Sequence, residues 1–200
     1  GARNTAVGRS ALANTTGVDD VVAIGYYACA NPTADVEDSV FIGKSAGQDT
    51  NGCSKAVAIG YEAFVGGSGD DNTAVGYKAL NAATTGYGNV AVGKGAGDNM
   101  TTGYHSVYIG DNAGNTHATG DRCIYVGRGT DCSGTAVDLE YVFGQGLTGK
   151  GQQTFFAGGN TGAYNEANQS SWQTTSDRRI KKNITNNTTG LDKINQITVR

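Results

Sequence analysis

The chain has 200 residues, of which 32 are Gly and only one is Pro, and its formal net charge is -3. Irregularly spaced Gly with almost no Pro excludes collagen and polyproline, and a hydrophobic fraction of 38% excludes a wholly disordered chain. No apolar run reaches the roughly 18 residues of a membrane span, and residues 1–175 are acidic, with 9 Lys and Arg against 16 Asp and Glu, which disfavours nucleic-acid binding.

One short pattern, two or three apolar residues followed by Gly, recurs along the chain as TAVG, VAIG, VYIG and similar versions. Successive motif glycines are 16 to 18 residues apart, a unit too short for a pair of helices but suited to one coil of a β-solenoid. The abundance of Val, Ile, Thr and Tyr favours strands over helices. We expect the motif glycines at tight bends; they are Gly8, Gly25, Gly43, Gly60, Gly76, Gly93, Gly110, Gly127 and Gly144.

Each unit continues with features typical of a second bend. Ala follows the motif Gly at the third position in most units, and a further Gly, often in Thr-Thr-Gly, follows it at the ninth or tenth position. The unit therefore reads as strand, tight Gly bend, second short strand and turn. The sequence predicts an all-β fold, a parallel β-solenoid of about nine coils of seventeen residues.

Alternation within the motif strand assigns two faces. The residue before the motif Gly and the residue two positions earlier share one face, which we expect to point into the coil. The residue between them is expected to point outward, yet it is never charged, so we expect another copy of the chain to cover it. These middle residues are Ala6, Ala23, Phe41, Ala58, Ala74, Ala91, Tyr108, Tyr125 and Val142.

The TAVG and VAIG units, with Ala three residues after the Gly and an Asn-Thr-Thr-Gly turn, resemble the head repeats of trimeric autotransporter adhesins and related repeats of bacteriophage tail fibres. The resemblance covers residues 3–146. It implies a left-handed parallel β-roll in which three chains pack about a common axis. We therefore expect residues 1–146 to form a β-roll domain of a homotrimer.

The chain changes character after this domain. Residues 147–175 are rich in Gly, Gln, Asn and Ser, which fits either a last irregular coil or an extended connector. The run from Ser176 to Ile184 resembles the opening of the self-cleaving intramolecular chaperone domain at the C-terminus of endosialidases and many other phage tail spikes and fibres. This resemblance implies trimerisation, with Ser176 as the nucleophile of self-cleavage and Lys181 as its base.

A serine beside a peptide bond can attack that bond only when a nearby amine is neutral, and neighbouring cations lower the pKa of a lysine toward that state. The alternative interpretation of the same run is a solvated basic segment that follows a turn and has no catalytic role. Only 25 residues follow Thr175, so we expect 176–200 to hold just the beginning of the chaperone domain, and self-cleavage to need the complete domain.

The position after each motif Gly is expected to be exposed and is rich in Tyr and Lys. A column of such side chains along a rigid shaft suits binding to a glycan or a surface protein, although side-chain ladders that only support stacking are an alternative. The receptor-binding candidates are Tyr26, Lys44, Tyr61, Tyr77 and Lys94.

The remaining reactive residues predict no cofactor and no metal. Cys29, Cys53, Cys123 and Cys132 contain no CxxC pair, and we expect them to be free, small apolar residues rather than zinc ligands, with two disulfides as the alternative. His105 and His117 have no carboxylates arranged around them. The acidic residues are scattered through turns, with no acid and nucleophile distinguishable for glycan hydrolysis.

The hypothesis from the sequence is a structural and adhesive protein. It would form part of a phage tail fibre or tail spike, located in the virion with other tail proteins, and attach it to a bacterial surface receptor or glycan. The first alternative is a cellular trimeric adhesin on a bacterial surface, and the second is a polysaccharide depolymerase. No nucleic acid, membrane insertion or enzyme activity is expected of the repeats.

Overall fold

The computed structural model describes residues 2–158, 162–166 and 173–174, the last two ranges by their backbone only. The described residues form fourteen strands and no helix, and hence no helix that could cross a bilayer. The strands are β1 (Thr5–Val7), β2 (Val18–Asp19), β3 (Val22–Ile24), β4 (Val36–Glu37), β5 (Val40–Ile42), β6 (Val57–Ile59), β7 (Thr73–Val75), β8 (Val90–Val92), β9 (Val107–Ile109), β10 (Ile124–Val126), β11 (Tyr141–Gly144), β12 (Thr154–Gly158), β13 (Gly162–Glu166) and β14 (Gln173–Thr174).

The motif strands stack as one parallel sheet, in the order β1, β3, β5 and then β6 to β12. Each motif pairs with the same motif of the next coil, so that Ala23 lies opposite Phe41 and Ala91 opposite Tyr108. This confirms the predicted all-β parallel solenoid of about nine coils. Its left hand and its association into trimers stay predictions.

The predicted second strand is wrong for most coils. Only β2 and β4 pair in this part of the unit, and later coils have isolated bridges such as Asp131 with Thr148. Many residues here adopt positive φ, including Asp71 at 58° and His105 at 53°, and left-handed residues interrupt a strand. The connection is therefore a series of tight bends rather than a second sheet.

The motif glycines stack directly on one another. Gly25 has a φ of 137°, and a Cβ added to it would lie 2.5 Å from the carbonyl oxygen of Gly43. Only Gly fits both the conformation and the close approach of the two backbones. The column of glycines thus marks the bend at which every coil leaves the sheet.

The assignment of the two strand faces from alternation is wrong. The middle residues point into the coil, and Ala23, Phe41 and Tyr108 are fully buried. Their neighbours point outward, and Ile24 and Ile109 are exposed to 37% and 40%. The reason is the narrowness of the coil, because its interior takes one row of side chains from this strand and packs it against buried alanines such as Ala46.

A second row of buried side chains lies just before the motif strands and is polar in most coils, although Val21 and Ala56 are apolar members of it. The Asn72 Oδ1 accepts a hydrogen bond from the Asn89 amide at 3.0 Å, and the Asn89 Oδ1 accepts one from the Ser106 amide at 2.9 Å. The Ser106 hydroxyl accepts in turn from the Cys123 amide at 3.1 Å. This internal polar ladder joins successive coils and fixes their register.

The solenoid ends in a change of strand direction. β12 pairs in parallel with β11, whereas β13 and β14 continue the sheet in antiparallel fashion. The buried Glu140 anchors this end, since its carboxylate accepts hydrogen bonds from the Tyr125 hydroxyl at 3.1 Å, the Ser133 amide at 3.1 Å and the Gly151 amide at 2.7 Å. Two loops are thereby tied to the last coils.

Candidate functional site: an apolar face and a tyrosine–lysine ridge

The outer side of the sheet is a continuous apolar surface, here called the apolar face. It contains two outward residues from each of nine motif strands, and none of them is charged. Strands about 4.8 Å apart make this face about 40 Å long. It consists of Thr5, Val7, Val22, Ile24, Val40, Ile42, Val57, Ile59, Thr73, Val75, Val90, Val92, Val107, Ile109, Ile124, Val126, Tyr141 and Phe143.

The apolar face is open to solvent in the single chain. Val7 is 55% exposed and Val92 39% exposed, so β-branched side chains that favour burial stand in water. A continuous uncharged patch of this length is unusual for the surface of a monomer. The face offers no hydrogen-bonding side chains except Thr5, Thr73 and the Tyr141 hydroxyl, so its chemistry is hydrophobic association.

A second surface runs along the residues that follow the motif glycines, and we call it the ridge. Lys44 Nζ lies 5.2 Å from the ring centre of Tyr61, and the Tyr61 and Tyr77 rings stack at 5.3 Å with an angle of 10°. The column consists of Arg9, Tyr26, Lys44, Tyr61, Tyr77, Lys94, Asp111, Arg128 and Gln145.

The structure brings most of the receptor-binding candidates of the sequence into contact. Lys44, Tyr61 and Tyr77 form one continuous stack, and the Arg9 guanidinium lies 5.8 Å from the ring centre of Tyr26. Lys94 is exposed in the coil after Tyr77. This geometry fits both alternatives. Stacked rings at the surface can support the stacking of the coils, and they can also contact a receptor.

Charge is distributed unevenly between the ridge and the rest of the solenoid. Residues 2–158 contain 9 Lys and Arg and 15 Asp and Glu, yet the ridge has four cations and one acid. Arg9, Lys44, Lys94 and Arg128 form no ion pair with any residue that the structure describes. A hydrogen bond to the Glu62 carboxylate holds the pKa of Tyr61 above its usual value, so this phenol stays neutral. The ridge is thus cationic and aromatic on an acidic body.

The predicted self-cleavage residues Ser176 and Lys181 lie outside the described residues. Their roles stay predictions that rest on the resemblance of the tail.

All four cysteines are free and buried. Burial raises the pKa of both Cys29 and Cys53 to about 12, and that of Cys132 to about 11. Thiols with such pKa values carry almost no thiolate at neutral pH, so they serve as small core side chains and not as nucleophiles.

His117 is held in the interior by two hydrogen bonds. His117 is buried, with Nδ1 2.7 Å from the Tyr108 hydroxyl and Nε2 3.1 Å from the Val137 carbonyl oxygen. Because a carbonyl only accepts, Nε2 carries the proton and Nδ1 accepts from Tyr108.

Across the described part of the chain, no group of three or more His, Cys, Asp or Glu side chains is placed to hold a metal ion.

One exposed cluster was missed from the sequence. The Tyr87 and Tyr104 rings stack at 5.1 Å, and His105 lies edge-on to both. The sequence contains a signal for this cluster, because Tyr87 and Tyr104 each follow a turn Gly and lie one repeat apart. The internal polar ladder was missed for a different reason. Its positions hold different residue types, Asn, Ser and Cys, so no repeated residue marks them in the sequence.

The fold and the two surfaces define a repetitive β-solenoid with one hydrophobic side and one cationic, aromatic edge. A scan against protein-family models found no match, and searches of curated proteins and of solved structures found none either.

Proposed function

We propose that the protein is the adhesive shaft of a fibre, in which three copies associate through the apolar face and present the ridge to a bacterial surface receptor. The observation that carries this proposal is the apolar face itself. Eighteen uncharged outward side chains on nine consecutive strands include Ile24 and Ile109, which stand 37% and 40% exposed in one chain. Removing them from water supplies the driving force for association.

A second copy of the same chain fits this face better than an unrelated partner does. The outward side chains repeat once per coil, and only a partner with the same repeat matches them along the whole length. When identical chains are related by rotation about an axis parallel to the solenoid, equal coils meet at equal heights. The number three comes from the resemblance of the repeats to trimeric adhesin heads and tail-fibre repeats.

The assignment to a phage tail fibre rests on the same resemblance and on the segment that begins at Ser176. In that setting the fibre is part of the virion, and the C-terminal domain drives trimerisation before it cuts itself off. A form of the protein that extends through a complete C-terminal domain should be clipped next to Ser176, and its Ser176→Ala form should stay uncut. Intact mass spectrometry gives this answer directly.

The association itself is tested by light scattering on the purified chain. We expect a native mass of three chains, which should fall to one chain when Val92→Asp and Ile109→Asp are combined, because charges on the apolar face oppose burial. The combined Thr85→Asp and Thr102→Asp variant is the control matched in charge, since both residues are exposed in turns away from the face. Circular dichroism checks that each variant keeps its strands. A folded wild-type monomer would overturn the proposal.

Adhesion is tested with fluorescently labelled protein on a panel of bacterial strains. Retention of the wild-type trimer on cells of at least one strain, and its loss for the monomeric variant, are the expected results. If the trimer forms but is retained on no strain, the shaft is structural and the adhesive part of the proposal is wrong.

A further inference from the structure

We propose that the ridge binds a linear anionic polysaccharide that lies along the solenoid axis. The inference rests on the proposed adhesive function and adds the chemical class of the receptor. In this arrangement carboxylates of the polysaccharide pair with Lys44 and Lys94, and sugar rings between them lie against the stacked tyrosines.

Charge is separated between the ridge and the rest of the solenoid. The ridge has four of the nine cations in residues 2–158 but only one of the fifteen acids. The nearest acid beside the tyrosine pair, Glu62, is already engaged by Lys78, whose Nζ lies 3.5 Å from its Oε2. A polyanion is repelled by the acidic body and attracted to this edge, where the cations of the column have no ionic partner among the described residues.

The cations of the ridge are widely spaced along the solenoid axis. Arg9, Lys44, Lys94 and Arg128 occupy the first, third, sixth and eighth coils, so neighbouring cations are two or three coils apart. At about 4.8 Å per coil this spacing is about 10 to 14 Å. A coil rise is close to the length of one sugar residue, so the spacing suits a polysaccharide with an acidic sugar at every second or third position.

The same spacing disfavours nucleic acid. Duplex DNA carries one charge per about 1.7 Å of its axis, far denser than the cations of the ridge. The acidic side chains that fill the rest of the solenoid would repel most of those phosphates. A sparse row of positive charges fits a sparsely charged polymer.

A tyrosine pair lies between Lys44 and Lys94 on the ridge. The Tyr61 and Tyr77 rings stack on each other, and Tyr77 remains 48% exposed. Because the ring faces cover each other, the pair offers a ligand its apolar ring edges and its hydroxyls. Lys78 Nζ, 5.9 Å from the ring centre of Tyr77, adds a further donor beside it. Contacts of this kind are individually weak and add up along a polymer that meets several coils.

The test uses hyaluronan, which has one carboxylate per disaccharide, and the same polymer with its carboxyl groups reduced to alcohols. We expect the immobilised acidic polymer to retain the protein and the reduced polymer not to, in biolayer interferometry at low salt. The combined Lys44→Gln and Lys94→Gln variant should bind about tenfold more weakly. The Lys55→Gln and Lys150→Gln variant changes the net charge equally at positions off the ridge, and it should bind as the wild type does.

Each other result counts against the inference. Equal loss in both double variants means attraction by net charge alone. Tighter binding of single-stranded DNA than of hyaluronan at the same salt makes the ridge a nucleic-acid site. Failure of hyaluronan to retain the wild type also overturns it. If the Lys44 and Lys94 variant still forms trimers and still adheres to bacteria, the adhesive function stands and only the anionic ligand on the ridge is wrong.

Discussion

Gly47 lies against the ring of Phe41, so closely that a Cβ added to it would come within 2.0 Å of the Phe41 Cδ1. Gly114 has the same relationship to Tyr108, at 2.3 Å from its Cδ1. In both cases the Gly follows the large strand residue at the sixth position. Where the strand residue is Ala58, the corresponding position is the buried Phe64. In these three coils a large and a small side chain exchange places across the coil, and the interior stays filled.

Gly47→Ala is expected to lower the free energy of unfolding by about 2 to 4 kcal/mol, because the methyl group overpacks the core and the residue keeps a left-handed φ. Urea unfolding at fixed protein concentration measures this loss. Gly146→Ala is the matched control, since Gly146 has the same φ of 61° with no atom within 4 Å of an added Cβ. It should cost only about 1 kcal/mol. Equal losses in both variants would show that conformation, and not the Phe41 contact, decides the effect.

The fold class could be predicted from the sequence because the motif returns at nearly constant intervals. The direction of the strand faces could not. Alternation shows that Val22 and Ile24 share one face of the strand and that Ala23 lies on the other. Both faces are uncharged, so polarity does not show which of them is buried. Side-chain size carries the missing information, because the narrow coil accepts alanines, and it accepts Phe41 and Tyr108 where Gly47 and Gly114 lie against their rings.

The candidate ridge was predictable as a column, because every ridge residue directly follows a motif Gly. Its internal contacts were not, since the stack of Tyr61 on Tyr77 depends on the rotamers of both side chains. The conformations of the turns were equally hidden. Residues such as Asp71 and Lys78 take left-handed φ without being Gly, and the coil geometry imposes that choice.

Removal of one member of the internal polar ladder should be costly. The Asn89 side chain accepts a hydrogen bond from the Ser106 amide and donates one to the Gly103 carbonyl oxygen, each at 2.9 Å. Asn89→Ala leaves both of these buried groups without a partner. We expect the free energy of unfolding to fall by about 2 to 4 kcal/mol, as for two unsatisfied buried groups. Chemical denaturation measures the change.

Asn99→Ala provides the comparison at a solvent-exposed site. The Asn99 side chain also donates one hydrogen bond, to the Asn115 carbonyl oxygen at 2.7 Å, but water can replace it. A loss below about 1 kcal/mol is expected there. Comparable losses for the two variants would contradict a special role of the buried ladder.

Stability should decrease on mild acidification because of His117. Burial lowers the pKa of His117 in the folded chain, whereas an unfolded histidine titrates near about 6.5. Between these two pKa values the unfolded chain binds one more proton, so the free energy of unfolding falls as the pH falls below about 6.5, by at most about 1.4 kcal/mol per pH unit. Denaturant titrations between pH 7.5 and about pH 5 measure the slope.

His117→Gln should flatten this slope, because the titrating group is removed. His105→Gln is the control, since His105 lies at the surface beside Tyr87 and Tyr104, and it should keep the wild-type slope. If the wild type and His117→Gln show the same dependence on pH, another group is responsible for the acid sensitivity.

The thiols should be protected by the fold. With a pKa of about 12, Cys29 and Cys53 each have about one molecule in ten thousand as thiolate at pH 8, and burial also blocks access to a reagent. We expect a disulfide reagent such as DTNB to leave the native protein unmodified over hours and to modify all four cysteines at once in denaturant. The absorbance of the released thiolate gives both counts.

A destabilised variant makes the same test sharper. Gly47→Ala shifts the folding equilibrium while leaving every cysteine in place, so the modification rate of the native protein should rise in proportion to the population of open forms. Gly146→Ala should change that rate far less. Rapid labelling of the undisturbed wild type would mean that one of the buried thiols is accessible and that the core around it opens without unfolding of the coils.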